Sequence, residues 1–297
     1  MEQALKSRLT WGPVMLLVLF GLLALDYYVE RWTDPGGRAV GGTGIGATGL
    51  LAILAIVIPL ATIELTHLFA AENVRPYRVL SAAGSYALMA HAFCTQFEWF
   101  KPVAASTLAF VIVGVMLSAA FRRAIDRQSQ DAIHRMAGTL LATLYLGGLS
   151  WFLIALRVKQ SPNFTGSTMA LLMILLVVKF TDIGAYFGGR ALGRHKLIPW
   201  LSPGKTWEGL ACGLLTAAAV GAACAPRVSQ LSWQKAAVFG LVIGGIGQLG
   251  DLLESMMKRD AQVKDSSKLI PGFGGILDVI DSPLLAAPFA YLLFSLF

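Results

Sequence analysis

Nine runs of apolar residues, each long enough to cross a bilayer as a helix, divide this 297-residue chain and leave short polar segments between them. A helix rises 1.5 Å per residue, so about twenty apolar residues reach across the roughly 30 Å hydrocarbon core. Backbone in that core has to satisfy its own hydrogen bonds, and a helix does so within the segment. Hydrophobic residues make up 56% of the chain and charged residues 14%, against about 25% charged in a soluble domain. Such a chain has too little polar surface to cover a globule in water. The expected fold is therefore all-α: a polytopic integral membrane protein with about nine transmembrane helices embedded in a lipid bilayer.

The runs centre on Leu17, Ile56, Ala87, Val113, Leu146, Leu175, Thr216, Ile243 and Pro288. The third is the weakest, because His91 interrupts it. The last begins with Asp278 and Asp281 and contains Pro283 and Pro288, which membrane helices tolerate. Lys6 and Arg8 precede the first run, and no small-residue cleavage site follows it, so it reads as a first span rather than a secretory signal. An N-terminal region, 1–165, is expected to hold about five spans, and a C-terminal catalytic region, 166–297, about four.

Cys94, Cys212 and Cys224 stand singly in apolar stretches, which suggests neither a disulfide framework nor a zinc site. Gly44-Ile-Gly46-Ala-Thr-Gly49 fits G-x-G-x-x-G, but polar loop precedes it and a spanning helix follows, so the segment Gly36 to Gly49 reads as a flexible loop. The eighth run is dense in glycine, from Gly240 to Gly250, which lets helix backbones approach closely.

The net charge of +7 lies in short loops, so topology explains it before nucleic acid does. Sixteen of the 24 Lys and Arg fall on the N-terminal tail and the second, fourth, sixth and eighth loops; seven fall on the other loops. That asymmetry places the N-terminus and the even loops in the cytoplasm and Phe297 outside.

Ionisable residues inside spans are costly and mark function by default. Five places hold them: Glu64 and His67; Lys179 and Asp182; Glu208; Asp251, Glu254 and Ser255; Asp278, Asp281 and Ser282. Spacings of three and four put each set on one helix face. The direction of the spans brings Asp182, Glu208, Asp251 and Asp278 to one membrane face, beside the basic sixth and eighth loops. Crowded carboxylates repel one another, and a divalent cation relieves that; Mg²⁺ is the usual choice beside phosphates. Surplus Lys and Arg then neutralise a polyphosphate, which points to nucleotidyl or phosphoryl transfer. Ser202-Pro203-Gly204-Lys205-Thr206 is a turn feeding a helix start, whose free N–H groups, hydroxyl and lysine suit an anion. Structural readings stand beside these: a buried Lys179–Asp182 ion pair, polar packing at Glu64 and His67, and topological anchoring by Arg122, Arg123 and Arg135.

Ser255-Met-Met-Lys258-Arg259, then Lys264-Asp265, then Pro271-Gly-Phe273-Gly-Gly-Ile-Leu-Asp278-Val-Ile-Asp281-Ser282 resembles the signature of phosphatidate cytidylyltransferases, the CDP-diacylglycerol synthases. Asp182 with Ala185, Tyr186 and Gly188, and Ser202-Pro203 with Lys205-Thr206-Trp207-Glu208-Gly209, are also similar to that family. The resemblance implies a polytopic enzyme that uses CTP, Mg²⁺ (one or two ions) and phosphatidic acid, releases pyrophosphate and makes CDP-diacylglycerol, at home in a bacterial inner membrane. It implies Asp251 and Asp278 as metal ligands, with Asp281 also in the catalytic set. Ser202, Lys205 and Thr206, with Asp182 and Ser282, are implied to hold the nucleotide or lipid phosphate. Lys258, Arg259, Lys264 and Asp265 are implied on the nucleotide side. A homodimer is left open. The chain departs from the family pattern at Phe273 and Val279, where His and Arg are usual, and at Gly204, where a lysine is common. Related CTP-dependent enzymes with another lipid acceptor, such as a polyprenol kinase or an archaeol-type cytidylyltransferase, remain the first alternative. A multi-span transporter is the second.

Overall fold

The computed structural model describes residues 2–34, 44–127, 129–158, 160–161, 164–165, 168–228, 231–267, 269–270, 272 and 274–297. Its helices are α1 (Glu2–Thr33), α2 (Thr48–Ala71), α3 (Arg78–Cys94), α4 (Ala104–Ile125), α5 (Ala132–Thr143), α6 (Leu149–Val158), α7 (Thr168–Leu192), α8 (Trp207–Cys224), α9 (Trp233–Asp260) and α10 (Leu277–Leu296). One turn of π-helix, Leu144–Gly148, joins α5 to α6, so the two cross as a single rod. The strands are two short hairpins, β1 (Gln160–Ser161) with β2 (Phe164–Thr165) and β3 (Lys196–Ile198) with β4 (Ser202–Thr206).

Eight of these helical stretches are long and apolar enough to cross a membrane, and the protein is a multi-pass membrane protein. The remaining run, α3, has 17 residues, about 26 Å of helix, at the lower limit for a span. Its modest hydropathy has a physical cause, because α3 is packed on protein. It lies against α2, α4, α5 and α6. Ser81 and Ser85 are fully buried, and Thr143 Oγ1 donates to Ser81 O at 3.4 Å. His91, the residue that weakens this run, receives the Trp151 indole N–H at 2.9 Å and stands 2.8 Å from Ala104 O.

The chain divides into two compact units. The first comprises Met1–Val158 and Asp260–Val279, and the second Lys159–Arg259 and Ile280–Phe297. In the first unit α1 and α2 touch backbone to backbone. A side chain at Gly44 would meet Glu30 O, and one at Gly49 would meet Leu22 O. The described part of the glycine-rich segment, Gly44 to Gly49, is therefore packed rather than loose; Gly36 to Val40 and Gly41 to Thr43 lie outside the described residues. Gly46 N donates to Gln96 Oε1 at 3.0 Å.

The first unit also holds a buried ion cluster that the apolar runs conceal. Arg157, which reads as a loop cation in the sequence, is 1% exposed. It donates from Nε to Asp26 Oδ2 and from Nη2 to Glu30 Oε2, both at 2.6 Å. Leaving one partner of a buried pair costs about 3–5 kcal/mol. Asp26→Asn is thus expected to lower the melting temperature of the purified protein markedly, as thermal unfolding in detergent would measure. Arg123, expected as an anchor, is also buried and holds the α4–α5 turn through Gln130 O at 2.9 Å from Nε.

In the second unit α7, α8, α9 and α10 pack as serial antiparallel neighbours. Gly184 and Gly188 of α7 lie on Thr216 and Cys212 of α8; Gly221 of α8 lies on Ala236 and Gly240 of α9. Phe239 of α9 meets Phe294 of α10 with ring centroids 4.5 Å apart. Small residues give the close approach that van der Waals packing in lipid requires. This order brings the end of α7, the start of α8, the end of α9 and the start of α10 to one end of the unit.

Candidate active site

The β3–β4 hairpin connects α7 to α8, and its last residue opens the helix. Thr206 has extended backbone (φ −130°, ψ 156°), and its hydroxyl accepts from Gly209 N at 3.1 Å, an N-cap that satisfies one of the orphan N–H groups. Glu208 accepts from Arg194 N at 3.1 Å and His195 N at 3.2 Å and stands 2.6 Å from His195 Nδ1. Trp207 N donates to His195 O at 3.0 Å. The hairpin is thereby clamped to the first turn of α8, which aims Lys205 inward.

Lys205 Nζ lies 2.5 Å from Asp251 Oδ2 and donates to Gln248 Oε1 at 3.1 Å. Gln248 Nε2 in turn donates to Asp182 Oδ1 at 2.7 Å. A continuous polar chain, Asp182–Gln248–Lys205–Asp251, thus joins α7, α9 and β4. It borders a cavity of about 520 Å³, also lined by Tyr186, Arg190 and Ser202. That volume falls in the range of small-molecule sites, about 300–1,000 Å³. Two cations, two carboxylates and the hydroxyls of Tyr186, Ser202 and Thr206 around one concavity suit a ligand that carries phosphate.

Asp251 has a second set of neighbours. One carboxylate oxygen from each of Asp251, Glu254 and Asp281 lies within 4.8 Å of the others. Asp251 and Glu254 share a face of α9 at i, i+3, and Asp281 comes from α10. Gly250 permits this approach, since a side chain there would stand 3.0 Å from Ser282 Cα and 3.2 Å from Asp281 O. Glu254 and Asp281 are buried, at 1% and 2% exposure. Lys258 Nζ lies 3.1 Å from Glu254 Oε2, Lys205 meets Asp251, and Lys179 acts electrostatically on Asp281. Three hard oxygen donors, one of them on the wall of an anion-suited cavity, fit a divalent cation such as Mg²⁺.

The remaining expected residues fall in different places. Ser202 and Thr206 line the cavity. Arg259 Nε stands 3.5 Å from Leu201 O, against the hairpin turn, and Ser282 is buried beside Gly250. Lys264, Asp265 and Asp278 belong to the first unit. Lys264 and Asp265 are exposed there. Asp278 Oδ2 accepts from Gly275 N at 2.7 Å and Ser266 N at 3.2 Å. Lys268, Pro271 and Phe273 lie outside the described residues. His67 is exposed and Glu64 buried.

Gln248 escapes a search for charged residues because it is neutral. Its signal is a carboxamide inside an apolar run, one turn before Asp251. Gln248→Leu removes both links of the polar chain, each worth about 1 kcal/mol net. It is expected to lower turnover roughly 30-fold, measured on the purified protein against its Asp251→Asn counterpart.

The sequence matches the Cytidylyltransferase family over residues 39–297. It is 30% identical to the phosphatidate cytidylyltransferase of Bacillus subtilis over 249 residues, 83% of this chain and 90% of that protein. It is 46% identical to the phosphatidate cytidylyltransferase of Haemophilus influenzae over 124 residues, 40% of this chain and 43% of that one. It is 38% identical over 151 residues to YnbB of Escherichia coli, a protein described as uncharacterized; the match spans 51% of this chain and about half, 49%, of that protein.

Proposed function

We propose that this chain, which belongs to the cytidylyltransferase family, transfers the cytidylyl group of CTP to phosphatidic acid, giving CDP-diacylglycerol and pyrophosphate. The observation that carries this reading is the double environment of Asp251. Its carboxylate meets Lys205 at the cavity and lies within 4.8 Å of Glu254 and Asp281 on the other side. One residue thus joins an anion-suited cavity to a cation-suited trio, the pairing that nucleotidyl transfer needs.

In this reading the phosphate oxygen of the lipid attacks the α-phosphorus of CTP, and the bond from that phosphorus to the bridging oxygen of the β-phosphate breaks. The attacking oxygen is already ionised, so no general base has to remove a proton. Positioning and charge stabilisation then supply the rate. Lys205 takes up phosphate charge, held in place by Gln248 and Asp251. Ser202 and the N-terminus of α8 add donors at the cavity wall. Asp251, Glu254 and Asp281 would hold Mg²⁺; the signature resemblance also implies Asp278 as a metal ligand, and Asp278 belongs to the first unit, where its carboxylate accepts from Gly275 N and Ser266 N. When bound, the ion would neutralise phosphate charge and polarise the α-phosphoryl oxygen. Lys258, Arg259, Lys264 and Asp265 are assigned to the nucleotide, and the excess of Lys and Arg on the even loops supports a cytoplasmic N-terminus and active site, with Phe297 outside.

A second acceptor is kept in view by Val279 and Phe273, which stand where the family usually has Arg and His and so alter the phosphate contacts. Labelled CTP separates the readings. Transfer to phosphatidic acid puts the α-phosphorus into the lipid, and a lipid kinase puts the γ-phosphorus there. Label from the γ-position in the lipid, or α-label only on a different lipid, overturns the assignment.

A further inference from the structure

Glu64 sits in α2 and is 4% exposed. Oε1 accepts from Ser267 Oγ at 2.6 Å and Ile276 N at 3.0 Å; Oε2 accepts from Leu277 N at 2.8 Å. Ser266 Oγ lies 3.0 Å from Glu64 Oε2 and 2.8 Å from Asp278 Oδ2, and its one proton is shared between them. All these donors belong to a single segment 202 to 213 residues further along the chain, within the same compact unit. Two of them, Ile276 N and Leu277 N, lie at the start of α10, where backbone N–H groups have no partner inside the helix. A carboxylate there satisfies them and complements the helix dipole.

The segment is shaped around this carboxylate. Gly274 adopts φ +98° and pairs with Ile270, N to O at 3.0 Å and O to N at 2.8 Å, which closes a tight turn. Gly275 follows, and a side chain there would collide with Ser266 Oγ and with Glu64 Oε2. The glycine at 275 is thus required by Glu64 as well as by the turn. Among the described residues every hydrogen bond to Glu64 comes from a donor, so an acceptor on both oxygens fits; a carboxamide would turn an NH₂ group towards N–H donors.

We propose that Glu64 is a positioning residue for the cytidylyl transfer assigned above, a role that rests on that reading. It holds Ser266, Ser267, Ile276 and Leu277 and so fixes the conformation of the signature stretch to which the resemblance assigns nucleotide and metal contacts. Misplacement of such groups by about 1 Å can cost up to about 10²-fold in rate. The N-terminal helices therefore contribute to the chemistry through one carboxylate as well as through their fold.

The test compares wild type with Glu64→Gln and Ser267→Ala, purified as full chains in detergent, by steady-state kinetics and by hydrogen exchange of the peptide containing Ile276 and Leu277. Glu64→Gln is expected to raise the KM for CTP about tenfold and Ser267→Ala about threefold, as expected for one to two lost hydrogen bonds. Both should accelerate exchange in that peptide while exchange in α3 stays as in wild type. A Glu64 that served stability alone would lower the active fraction and leave the KM for CTP unchanged, and that result overturns the proposal. Unchanged exchange in both variants overturns it too. If Glu64→Gln does not fold, Ser267→Ala decides by the same two readouts. A wild type that makes no CDP-lipid from CTP and phosphatidic acid sinks the transfer reading and the positioning role with it; in that case faster exchange shows that Glu64 holds the segment for structure only.

Discussion

Asp281→Asn and Asp251→Asn are each expected to lower cytidylyl transfer about 10³-fold while the protein stays folded. Each change keeps the shape of the side chain and removes one negative charge from a trio whose oxygens lie within 4.8 Å. Several kcal/mol of charge stabilisation around a divalent ion correspond to that factor. The loss should come with a specific signature. The Mg²⁺ concentration giving half the maximal rate should rise, because the remaining carboxylates hold the ion less well. A carboxylate that served packing alone would lower the amplitude and leave the Mg²⁺ dependence where it was. Titrating Mg²⁺ against initial rates of wild type and both variants separates the two cases.

Lys205→Met is expected to lower kcat/KM for CTP about 10²-fold, the loss typical of one charge-stabilising donor at a developing anion. The ammonium group stands 2.5 Å from Asp251 and donates to Gln248. Without it Asp182 and Asp251 face the cavity with less opposing charge, and an incoming triphosphate meets repulsion. Lys205→Arg should recover only part of the activity. A planar guanidinium presents its donors as a rigid fork, whereas the site asks one compact group to meet a carboxylate and a carboxamide at once. Kinetics of both variants at saturating lipid check this, and wild-type kcat/KM in Lys205→Met would remove Lys205 from the site.

Much of the fold follows from the apolar runs, because length and hydropathy are local properties. Eight of the runs become helices long enough to span. What the runs conceal is pairing across distance. Arg157 closes an apolar run and reads as a loop cation, yet its partner Asp26 is 131 residues away, and only the packing of α6 on α1 reveals the ion pair. Likewise, α3 looks weak as a span because its polar face turns towards other helices. Span direction groups Asp182, Glu208, Asp251 and Asp278 beside the basic loops; within the second unit the structure joins Asp182 to Asp251 through Gln248 and Lys205. Span direction does not choose between Asp278 and Asp281 as neighbours of Asp251, because residues three apart share a helix face. The structure places Asp281 with Asp251 and Glu254, and it gives Asp278 backbone donors from Gly275 and Ser266. Glu64 is visible in the sequence only as a charge in a span. Its meaning depends on a segment more than 200 residues later.

The most direct test of the central claim is product formation. The purified protein is incubated with CTP, Mg²⁺ and phosphatidic acid, and CDP-diacylglycerol and pyrophosphate are quantified beside Asp251→Asn. The expected result is equal molar formation of both products by wild type, dependent on phosphatidic acid and lost in Asp251→Asn. No CDP-diacylglycerol from wild type, or undiminished formation by Asp251→Asn, would contradict the account.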